Sequence, residues 1–438
     1  MKGFLIVILY MAAALIPVIY ASLFGYPYRN IVYEMGRNFA LLGFMILVLQ
    51  VFLASRIRWI ERPFGFDILI RYHRHMGIFA LLLVLSHPLL LASGSGNWGL
   101  VTGLNVSWHI WLGRVALVLL AVSIILSVYQ RPLGLTFERW RIIHDVLSPL
   151  VIVFAFIHSY LTGMDLNLAA MRVMWITGLA AVFLTFAYHR IIRPVLLRKH
   201  AYRVTEVIPE AEGVWTVKLA PQKGGPVFDY LPGQFQFITF FRGRNLPEEE
   251  HHWTISSSPA RREYVSSTIK ALGDFTSTIG ETRPGDTAAV HGAFGRFSYV
   301  LHPQERDLVF IAGGIGITPL MSMIRHMRDT KDNRSVLLLY ANRNEEQIVF
   351  ARELAEIEAG GHPSLRVVHV LSGPSPGWRG ETGLLGREKI RRLCGEDLQG
   401  KVFYVCGPPG LADSVVDALE FLNVADRQIR LEIFSFLD

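Results

Sequence analysis

Long apolar segments occupy the first part of the chain. Six of them lie within the first 193 residues, at positions 3–28, 38–55, 68–91, 108–129, 146–164 and 173–188. A helix needs about 20 apolar residues to cross a bilayer, and each segment reaches that length with its flanks. The pattern predicts six transmembrane helices in contact with membrane lipid. The first segment could instead be a signal peptide, but it lacks a small-residue cleavage motif followed by polar sequence.

Short apolar runs follow from about residue 194. Residues 202–208, 214–219 and 235–241 alternate between apolar and polar positions and are separated by Pro, Gly and Asn, as in an antiparallel barrel. After Pro303, strand-like runs at 307–312, 335–340, 365–371 and 401–405 alternate with helical or loop segments, which predicts a parallel sheet. We therefore expect a membrane α-helical bundle at 1–193, an antiparallel β-barrel at 194–303 and an α/β Rossmann-like domain at 304–438.

The charged residues support this division and give the membrane part a direction. Residues 1–193 contain 15 Lys and Arg against 6 Asp and Glu, whereas the rest contains 28 against 30. Cytoplasmic loops carry an excess of Lys and Arg. Three loops show this excess: Arg56, Arg58, Arg62, Arg71 and Arg74; Arg131, Arg139 and Arg141; and Arg190, Arg193, Arg198 and Lys199. We expect an inner (cytoplasmic) membrane protein with both termini in the cytoplasm.

Composition also excludes several classes of protein. The surplus basic charge lies between apolar runs and forms no basic stripe, so we expect no nucleic-acid partner. The two cysteines, Cys394 and Cys406, are too few for an iron–sulfur cluster, a cysteine-rich zinc site or a disulfide framework. Any redox chemistry would therefore need another metal centre or an organic cofactor.

Four histidines in the membrane segments form two pairs with the same spacing. His73 and His87 are 14 residues apart in the third segment, as are His144 and His158 in the fifth. Fourteen residues fall about 40° short of four helical turns and rise about 21 Å, so each pair shares one face. Both helices run from inside to outside, so His73 can face His144 and His87 can face His158. Two such pairs are what two stacked haem b groups, each with two histidine ligands, require. Buried histidines that only satisfy hydrogen bonds in the core are the alternative.

Two neighbouring residues need separate treatment. His75 also precedes His87, but it lies about 120° round the helix from the ligand face. Arg114 is near the outer end of the fourth segment. It could hold a propionate of the outer haem or extend its charge to the membrane surface.

Two segments of the predicted barrel carry residues suited to a flavin. In His251-His252-Trp253-Thr254, the aromatic ring can stack on the isoalloxazine and the hydroxyl can reach its N5. Downstream, Lys270, Gly273 and Thr276 lie in a segment that could cradle a pyrophosphate with backbone amides and a hydroxyl. An ordinary turn is the alternative explanation for each segment alone.

The predicted parallel sheet carries two nucleotide motifs. Gly313-Gly314-Ile315-Gly316-Ile317-Thr318-Pro319 follows a strand, and Pro319 is well placed to open a helix. Glycines at that point let a pyrophosphate approach the helix N-terminus, although the motif departs from G-x-G-x-x-G. Cys406-Gly407-Pro408 ends another strand, where a nicotinamide would lie above the sheet edge. Arg343 could pair with the 2′-phosphate of NADPH, but a surface arginine is the alternative, so NADH stays open.

Taken together, these motifs resemble the ferric reductase / NADPH oxidase superfamily of transmembrane flavocytochromes b, over nearly the whole chain. The third and fifth segments match its paired histidines. Residues 251–254 resemble its His-Pro-Phe-Thr flavin motif, with His252 for Pro and Trp253 for Phe. Residues 313–319 and 406–408 match its Gly-Gly-x-Gly-x-Thr-Pro and Cys-Gly-Pro motifs. Residues 432–436 resemble its aromatic terminus, in which a ring covers the flavin. We choose Phe436 for that ring, with Phe434 as the alternative.

The resemblance implies an electron relay. It runs from cytosolic NAD(P)H through an FAD domain, an inner haem at His73 and His144 and an outer haem at His87 and His158 to an external acceptor. It implies catalytic roles for Thr254, Cys406 and Phe436.

The acceptor could be dioxygen, as in a superoxide-producing NADPH oxidase, or a ferric chelate. The uncharged outer loop slightly favours a small neutral acceptor. A membrane electron-carrier subunit that feeds a partner protein or quinone is one alternative, and a haem-free anchor with a flavin reductase is another. The sequence leaves any protein partner unknown.

Overall fold

The computed structural model describes residues 2–26 and 30–433, and its contacts divide the chain into two units, 1–193 and 194–438. Over its described residues the first unit is helical. Its helices are α1 (Lys2–Phe24), α2 (Ile31–Ala54), α3 (Arg58–Phe64), α4 (Phe66–Ser95), α5 (Gly99–Thr102), α6 (Trp108–Val128), α7 (Phe137–Thr162), α8 (Ala169–Ala187) and, after a π-helical turn (Tyr188–Ile192), α9 (Arg193–Lys199).

Six helical spans in the described residues are long and apolar enough to cross a membrane. They are α1, α2, α4, α6, α7 and the continuous stretch Ala169–Lys199. The prediction of six transmembrane helices is thus confirmed. The short helices α3 and α5 lie in the connections between spans, where the chain turns back.

Small residues allow the membrane helices to approach closely. A Cβ atom added to Gly43 of α2 would lie 2.9 Å from a methyl carbon of Val84 in α4. Trp175 of α8 stacks on Phe44 of α2 with ring centres 5.1 Å apart, and its Nε1 donates to Ser159 Oγ of α7 at 3.0 Å. These contacts join α2 to α4 and connect α2, α7 and α8 around one core.

The second unit begins with an antiparallel sheet of six strands. They are β1 (Tyr202–Ala211), β2 (Val214–Pro221), β3 (Phe235–Phe241), β4 (Glu250–Thr254), β5 (Val265–Lys270) and β6 (Thr287–Phe294), in the order β4-β3-β6-β1-β2-β5. Alternate strand residues point to one apolar core, which includes Val217, Leu219 and Ile238. The short helix α10 (Asp274–Ser277) follows β5.

A parallel sheet of six strands follows. It comprises β7 (Asp307–Gly313), β8 (Ser335–Asn342), β9 (Ser364–Leu371), β10 (Glu381–Thr382), β11 (Lys401–Gly407) and β12 (Ile429–Ile433), in the order β10-β9-β8-β7-β11-β12. Its helices are α11 (Ile317–Thr330), α12 (Ala351–Gly360), α13 (Arg387–Cys394) and α14 (Pro409–Phe421).

Both faces of the parallel sheet are buried. Leu308 and Phe310 of β7 belong to one core with α11 and α12, whereas Val309 and Ile311 belong to another with α13 and α14. The chain first adds β8, β9 and β10 on one side of β7 and then β11 and β12 on the other. The predicted order of antiparallel and parallel sheets is confirmed, and the change of direction beside β7 creates a crevice of the kind that binds nucleotides.

Candidate cofactor sites

The four membrane histidines lie as two facing pairs. The ring centres of His73 and His144 are 6.2 Å apart with the rings inclined at 73°, and those of His87 and His158 are 6.5 Å apart at 72°. Two imidazoles that share one metal ion at about 2.0 Å, with each ring centre about 1.1 Å behind its nitrogen, have centres about 6.2 Å apart. Both pairs therefore fit a haem iron with two histidine ligands.

An oxygen atom from a neighbouring helix holds Nδ1 of every ligand candidate. An Nδ1 that donates to oxygen carries the ring proton, which leaves Nε2 free to bind metal. The partners are Gln50 O for His73 at 3.2 Å, Gly36 O for His87 at 2.9 Å, His109 O for His158 at 2.9 Å and Ser123 Oγ for His144 at 3.3 Å.

These supporting positions repeat the spacing of the histidines. Positions 36 and 50 in α2 are 14 residues apart, and so are positions 109 and 123 in α6. Sequence reasoning missed all four, since three of the acceptors are backbone carbonyls, which any residue type supplies. Only Ser123 offers a side chain that could have been recognised as a support.

His144 has further aromatic and hydroxyl contacts. The ring of Trp140, one turn earlier in α7, stacks on it with centres 5.4 Å apart and planes at 24°. Trp140 Nε1 donates to Ser127 Oγ at 3.1 Å, and Ser127 Oγ donates to the Ser123 carbonyl at 2.7 Å. The orientation of this one histidine is therefore set by side chains of both α6 and α7.

Two glycines allow the supporting helices to reach the histidines. A Cβ on Gly113 of α6 would lie 2.7 Å from the ring of His158. A Cβ on Gly36 would lie 2.9 Å from the Cβ of Leu90 in α4, one turn from His87. Both contacts are closer than real Cβ atoms allow, so the pair of His87 and His158 depends on the absence of a side chain at both positions.

Arg114 contacts the connection between α4 and α6. Its guanidinium donates to the carbonyls of Gly103 at 2.7 Å, Leu100 at 3.0 Å and Gly99 at 3.3 Å, and it lies 4.8 Å from the centre of a Trp111 ring. Arg114 thus binds carbonyl groups of α5 and of the residue after it, and its assignment to a propionate of the outer haem stays a prediction.

The predicted flavin segment 251–254 forms β4, whose residues alternate between two faces. His251 and Trp253 pack against Phe275, with ring centres 4.2 and 5.9 Å away, whereas His252 packs on the other face, 5.9 Å from Phe237. Thr254 is buried at the end of the strand, opposite Phe235 of β3. Strand alternation directs Trp253 and Thr254 to opposite faces of β4, so a flavin that contacts both would have to lie across the end of the strand.

The second flavin segment uses part of its hydrogen bonding internally. Thr276 Oγ1 accepts from the amides of Leu272 and Gly273, both at 2.9 Å. A phosphate at this turn would therefore have to replace the threonine hydroxyl or bind beside it. Lys270, at the end of β5, lines a cleft together with Gly314 and is thus close to the glycine-rich loop of the parallel sheet.

The two nucleotide motifs meet at the carboxyl ends of β7 and β11. Gly313 ends β7, Gly314–Gly316 form a 3-10 turn, and α11 begins at Ile317, so Thr318 and Pro319 lie in its first turn. A Cβ on Gly313 would lie 2.9 Å from Pro408, and one on Gly316 would lie 2.8 Å from the Cα of Gly407. The glycines therefore let the two loops touch, and the structure brings both motifs to the crevice beside β7.

The remaining predicted residues have different surroundings. Cys406 is fully buried, and burial, with a contribution from the Glu432 carboxylate, raises the pKa of its thiol. The thiol is thus protonated at neutral pH. Arg343 directly follows β8 and is exposed, and its carbonyl accepts from the Gly373 amide at 2.8 Å. Phe436 and its alternative Phe434 lie outside the described residues.

Comparison with known proteins agrees with this arrangement. Residues 39–155 match the family model for a ferric reductase like transmembrane component, and residues 310–417 match that for an oxidoreductase NAD-binding domain. An NADH-cytochrome b5 reductase-like protein of Arabidopsis thaliana is 28% identical over 166 residues, covering 37% of this chain and 50% of the relative. A glycine betaine monooxygenase reductase subunit of Pseudomonas aeruginosa is 29% identical over 227 residues, covering 51% of this chain and 60% of the relative.

The chain thus spans between half and two thirds of the length of these relatives. Among solved structures, the FAD/NAD-binding domain of a nitric oxide dioxygenase from Vibrio cholerae aligns with a TM-score of 0.47 and 24% identity, over 54% of this chain and 98% of that one.

The chain therefore combines a segment similar to a ferric reductase like transmembrane component with an antiparallel sheet and a parallel sheet, the latter similar to an oxidoreductase NAD-binding domain.

Proposed function

We propose that this protein is an oxidoreductase that transfers electrons from cytosolic NAD(P)H, through FAD and two haem b groups, to dioxygen on the other side of the inner membrane, with both chain termini in the cytoplasm. The main support for this proposal is the presence of two facing histidine pairs, with ring centres 6.2 and 6.5 Å apart. Every Nδ1 in these sites is held by an oxygen. A membrane anchor without haem gives no reason to repeat that arrangement at two depths.

In this proposal His73 and His144 hold the inner haem, and His87 and His158 hold the outer one. When bound, FAD supplies the conversion of a hydride into single electrons, and each haem iron supplies one-electron storage. The protein's own contribution is to fix the imidazoles. Carbonyl and hydroxyl oxygens keep the proton on Nδ1, so each ring presents Nε2 to the metal without rearrangement.

The soluble unit would hold the two other cofactors. Gly313, Gly314 and Gly316 would admit the nucleotide pyrophosphate to the N-terminus of α11, assisted by Thr318 and Pro319. Cys406, Gly407 and Pro408 would support the nicotinamide. On the flavin side we assign Trp253 to stacking, the Thr254 hydroxyl to flavin N5, His251 to the ring's edge, and Lys270, Gly273 and Thr276 to the pyrophosphate. Phe436 is proposed to cover the flavin until nicotinamide arrives.

Two observations favour dioxygen over an anionic ferric chelate. Residues 92–108 contain no Asp, Glu, Lys or Arg. The nearby guanidinium of Arg114 donates to three backbone carbonyls and so is committed to the loop. A negatively charged chelate gains little attraction at such a surface. With either acceptor, an inside-negative membrane potential favours outward electron movement, by about 2.3 kcal/mol per 100 mV.

The test is NADPH oxidation by the purified full-length protein, with cytochrome c as reporter and with or without superoxide dismutase. We expect cytochrome c reduction that dismutase abolishes. Insensitivity to dismutase, combined with ferrous-chelate formation under anaerobic conditions, would instead identify a ferric reductase. Turnover only after addition of a quinone or partner protein would identify an electron carrier.

The choice of nucleotide can be tested at Arg343. We assign its exposed guanidinium to the 2′-phosphate of NADPH. Arg343→Ala should then raise KM for NADPH and leave KM for NADH unchanged, as measured by steady-state ferricyanide reduction. Equal changes for both nucleotides would contradict a 2′-phosphate contact.

A further inference from the structure

Helix α11 connects the glycine-rich loop to the flavin segment. It begins directly after the Gly314–Gly316 turn. Two of its side chains, about one turn apart, donate to backbone carbonyls that follow Thr254 by two and three residues. Ser322 Oγ donates to Ser257 O at 2.7 Å, and Arg325 Nη1 donates to Ser256 O at 2.7 Å. One helix thus follows the glycine-rich loop directly and contacts the backbone just after the flavin segment.

Ser256 and Ser257, the residues that α11 contacts, also form hydrogen bonds within the antiparallel sheet. The Ser256 amide donates to Ser266 O of β5 at 2.8 Å, and Ser257 Oγ accepts from the Ser266 amide at 3.0 Å. Tyr230 Oη lies 3.0 Å from Ser257 Oγ. Ser256 and Ser257 are therefore fixed by the antiparallel sheet on one side and by α11 on the other, which leaves the backbone after Thr254 little freedom.

Contacts with Glu353 and Phe350 fix the orientation of the Arg325 guanidinium that donates to Ser256. Its Nε and Nη2 bind the two carboxylate oxygens of Glu353 in α12 at 3.0 and 2.6 Å, and it lies 4.6 Å from the ring centre of Phe350. The side chain is only 13% exposed. A planar guanidinium bound through two of its nitrogens presents its remaining donors in a fixed direction. The positions of α11 and α12 therefore determine where Arg325 binds Ser256.

Glu353 keeps its charge in this setting. Burial alone would raise the pKa of its carboxyl, but hydrogen bonds and charges from Arg325 and Arg328 bring that pKa below its ordinary value. The carboxylate is therefore ionised at neutral pH and holds the Arg325 fork in place.

We propose that Ser322 and Arg325 are positioning residues for hydride transfer, because they fix the separation between the dinucleotide loop and the flavin segment. This role rests on the proposed function at one step only. In that step a C4–H bond of the dihydronicotinamide breaks and its hydride bonds to flavin N5, leaving NAD(P)⁺ and the two-electron-reduced flavin anion. Reactions of this kind are sensitive to geometry, since a misplacement of about 1 Å can cost about 100-fold in rate.

The test is anaerobic stopped-flow reduction of the flavin by NADPH in the full-length protein. Ser322→Ala and Arg325→Met should slow flavin reduction by roughly tenfold or more and enlarge the isotope effect with C4-deuterated NADPH. KM for NADPH should change little, because neither side chain is assigned to the nucleotide. Arg325→Lys, which keeps one donor near Ser256, should recover part of the rate.

Thr330→Ala is the matched control. Thr330 lies on the same helix, is exposed, and its hydroxyl donates to the His326 carbonyl of that helix at 2.7 Å. This variant should reduce flavin at the wild-type rate, while FAD content and the melting temperature show whether any variant is damaged. If Arg325→Met loses FAD, Ser322→Ala and Arg325→Lys decide the matter.

Two results would overturn the proposal: wild-type rates and isotope effects in FAD-replete Ser322→Ala and Arg325 variants, or equal slowing by Thr330→Ala. A wild-type protein that holds FAD but is reduced by neither NADPH nor NADH would refute the proposed function itself, and this role with it.

Discussion

Replacement of His87 by leucine tests the haem assignment most directly. Leucine fits an apolar helix but supplies no ligand, so the outer site would keep only His158. His73 and His144 lie about 21 Å farther along the helices, the rise of 14 residues, and their supports at Gln50 and Ser123 are untouched. The variant should therefore lose one haem and retain the other, so that the ratio of haem to FAD falls from about 2 to about 1.

The ratio is measured with the pyridine haemochrome assay and flavin fluorescence after extraction. The dithionite-reduced minus oxidised spectrum should keep an α band at about half the amplitude. NADPH should still reduce the remaining haem, whereas superoxide formation should be lost, because the proposed exit lies at the outer site.

His75→Leu is the matched control for this experiment. His75 lies on the same helix, is exposed and bonds through Nδ1 to the Arg71 carbonyl of its own helix at 2.8 Å. It should retain two haems per FAD. An unchanged haem ratio in His87→Leu, or equal loss in both variants, would refute the ligand assignment.

Three further changes probe other contacts. Gly113→Ala should displace the His158 ring, since the new Cβ would lie 2.7 Å from it, and so lower the haem-to-FAD ratio towards 1. Ser123→Ala should raise the midpoint potential of the inner haem in spectroelectrochemical titration, because His144 loses the oxygen that strengthens it as a donor. Glu353→Gln should weaken the dependence of the melting temperature on pH below pH 4.5. Its lowered carboxyl pKa means that wild-type stabilisation is complete above the ordinary value of 4.5 and is lost as pH falls through the folded value.

Each of these changes has a result that would count against it. Gly77→Ala, at a position where a new Cβ meets nothing within 4 Å, should leave two haems, so equal loss there would remove the steric explanation for Gly113. An unchanged or lowered potential in Ser123→Ala would show that its hydroxyl does not accept from Nδ1. Parallel acid melting curves for wild type and Glu353→Gln would contradict the linkage.

The sequence predicted the elements with strong local signals. Apolar length identified the six spans, and glycines between a strand and a helix located the loop at 313–316. The histidine pairs were predicted because polar side chains in lipid are costly and their 14-residue spacing is easily recognised. In each case the residue type itself carries the information.

What the sequence could not supply depends on backbone groups and on distant contacts. The carbonyls of Gly36, Gln50 and His109 hold imidazoles, but carbonyls leave no trace in residue identity. The bond from Arg325 to Ser256 joins residues 69 positions apart. The pairing of Trp253 with Thr254 as one flavin contact followed the motif and stays a prediction, because no local signal shows how a flavin would lie across the end of β4.

The shared 14-residue interval restricts how this membrane unit can diverge. One residue inserted between the two sites in α4 would rotate one histidine by about 100° relative to the other and shift it by about 1.5 Å. The matching positions in α2, α6 and α7 would no longer face the histidines of α4 unless each of those helices gained a residue at the same depth. Insertions and deletions are therefore expected to accumulate in the connections between spans, and the gap between the two metal positions should stay constant while the surface that meets the acceptor is free to change.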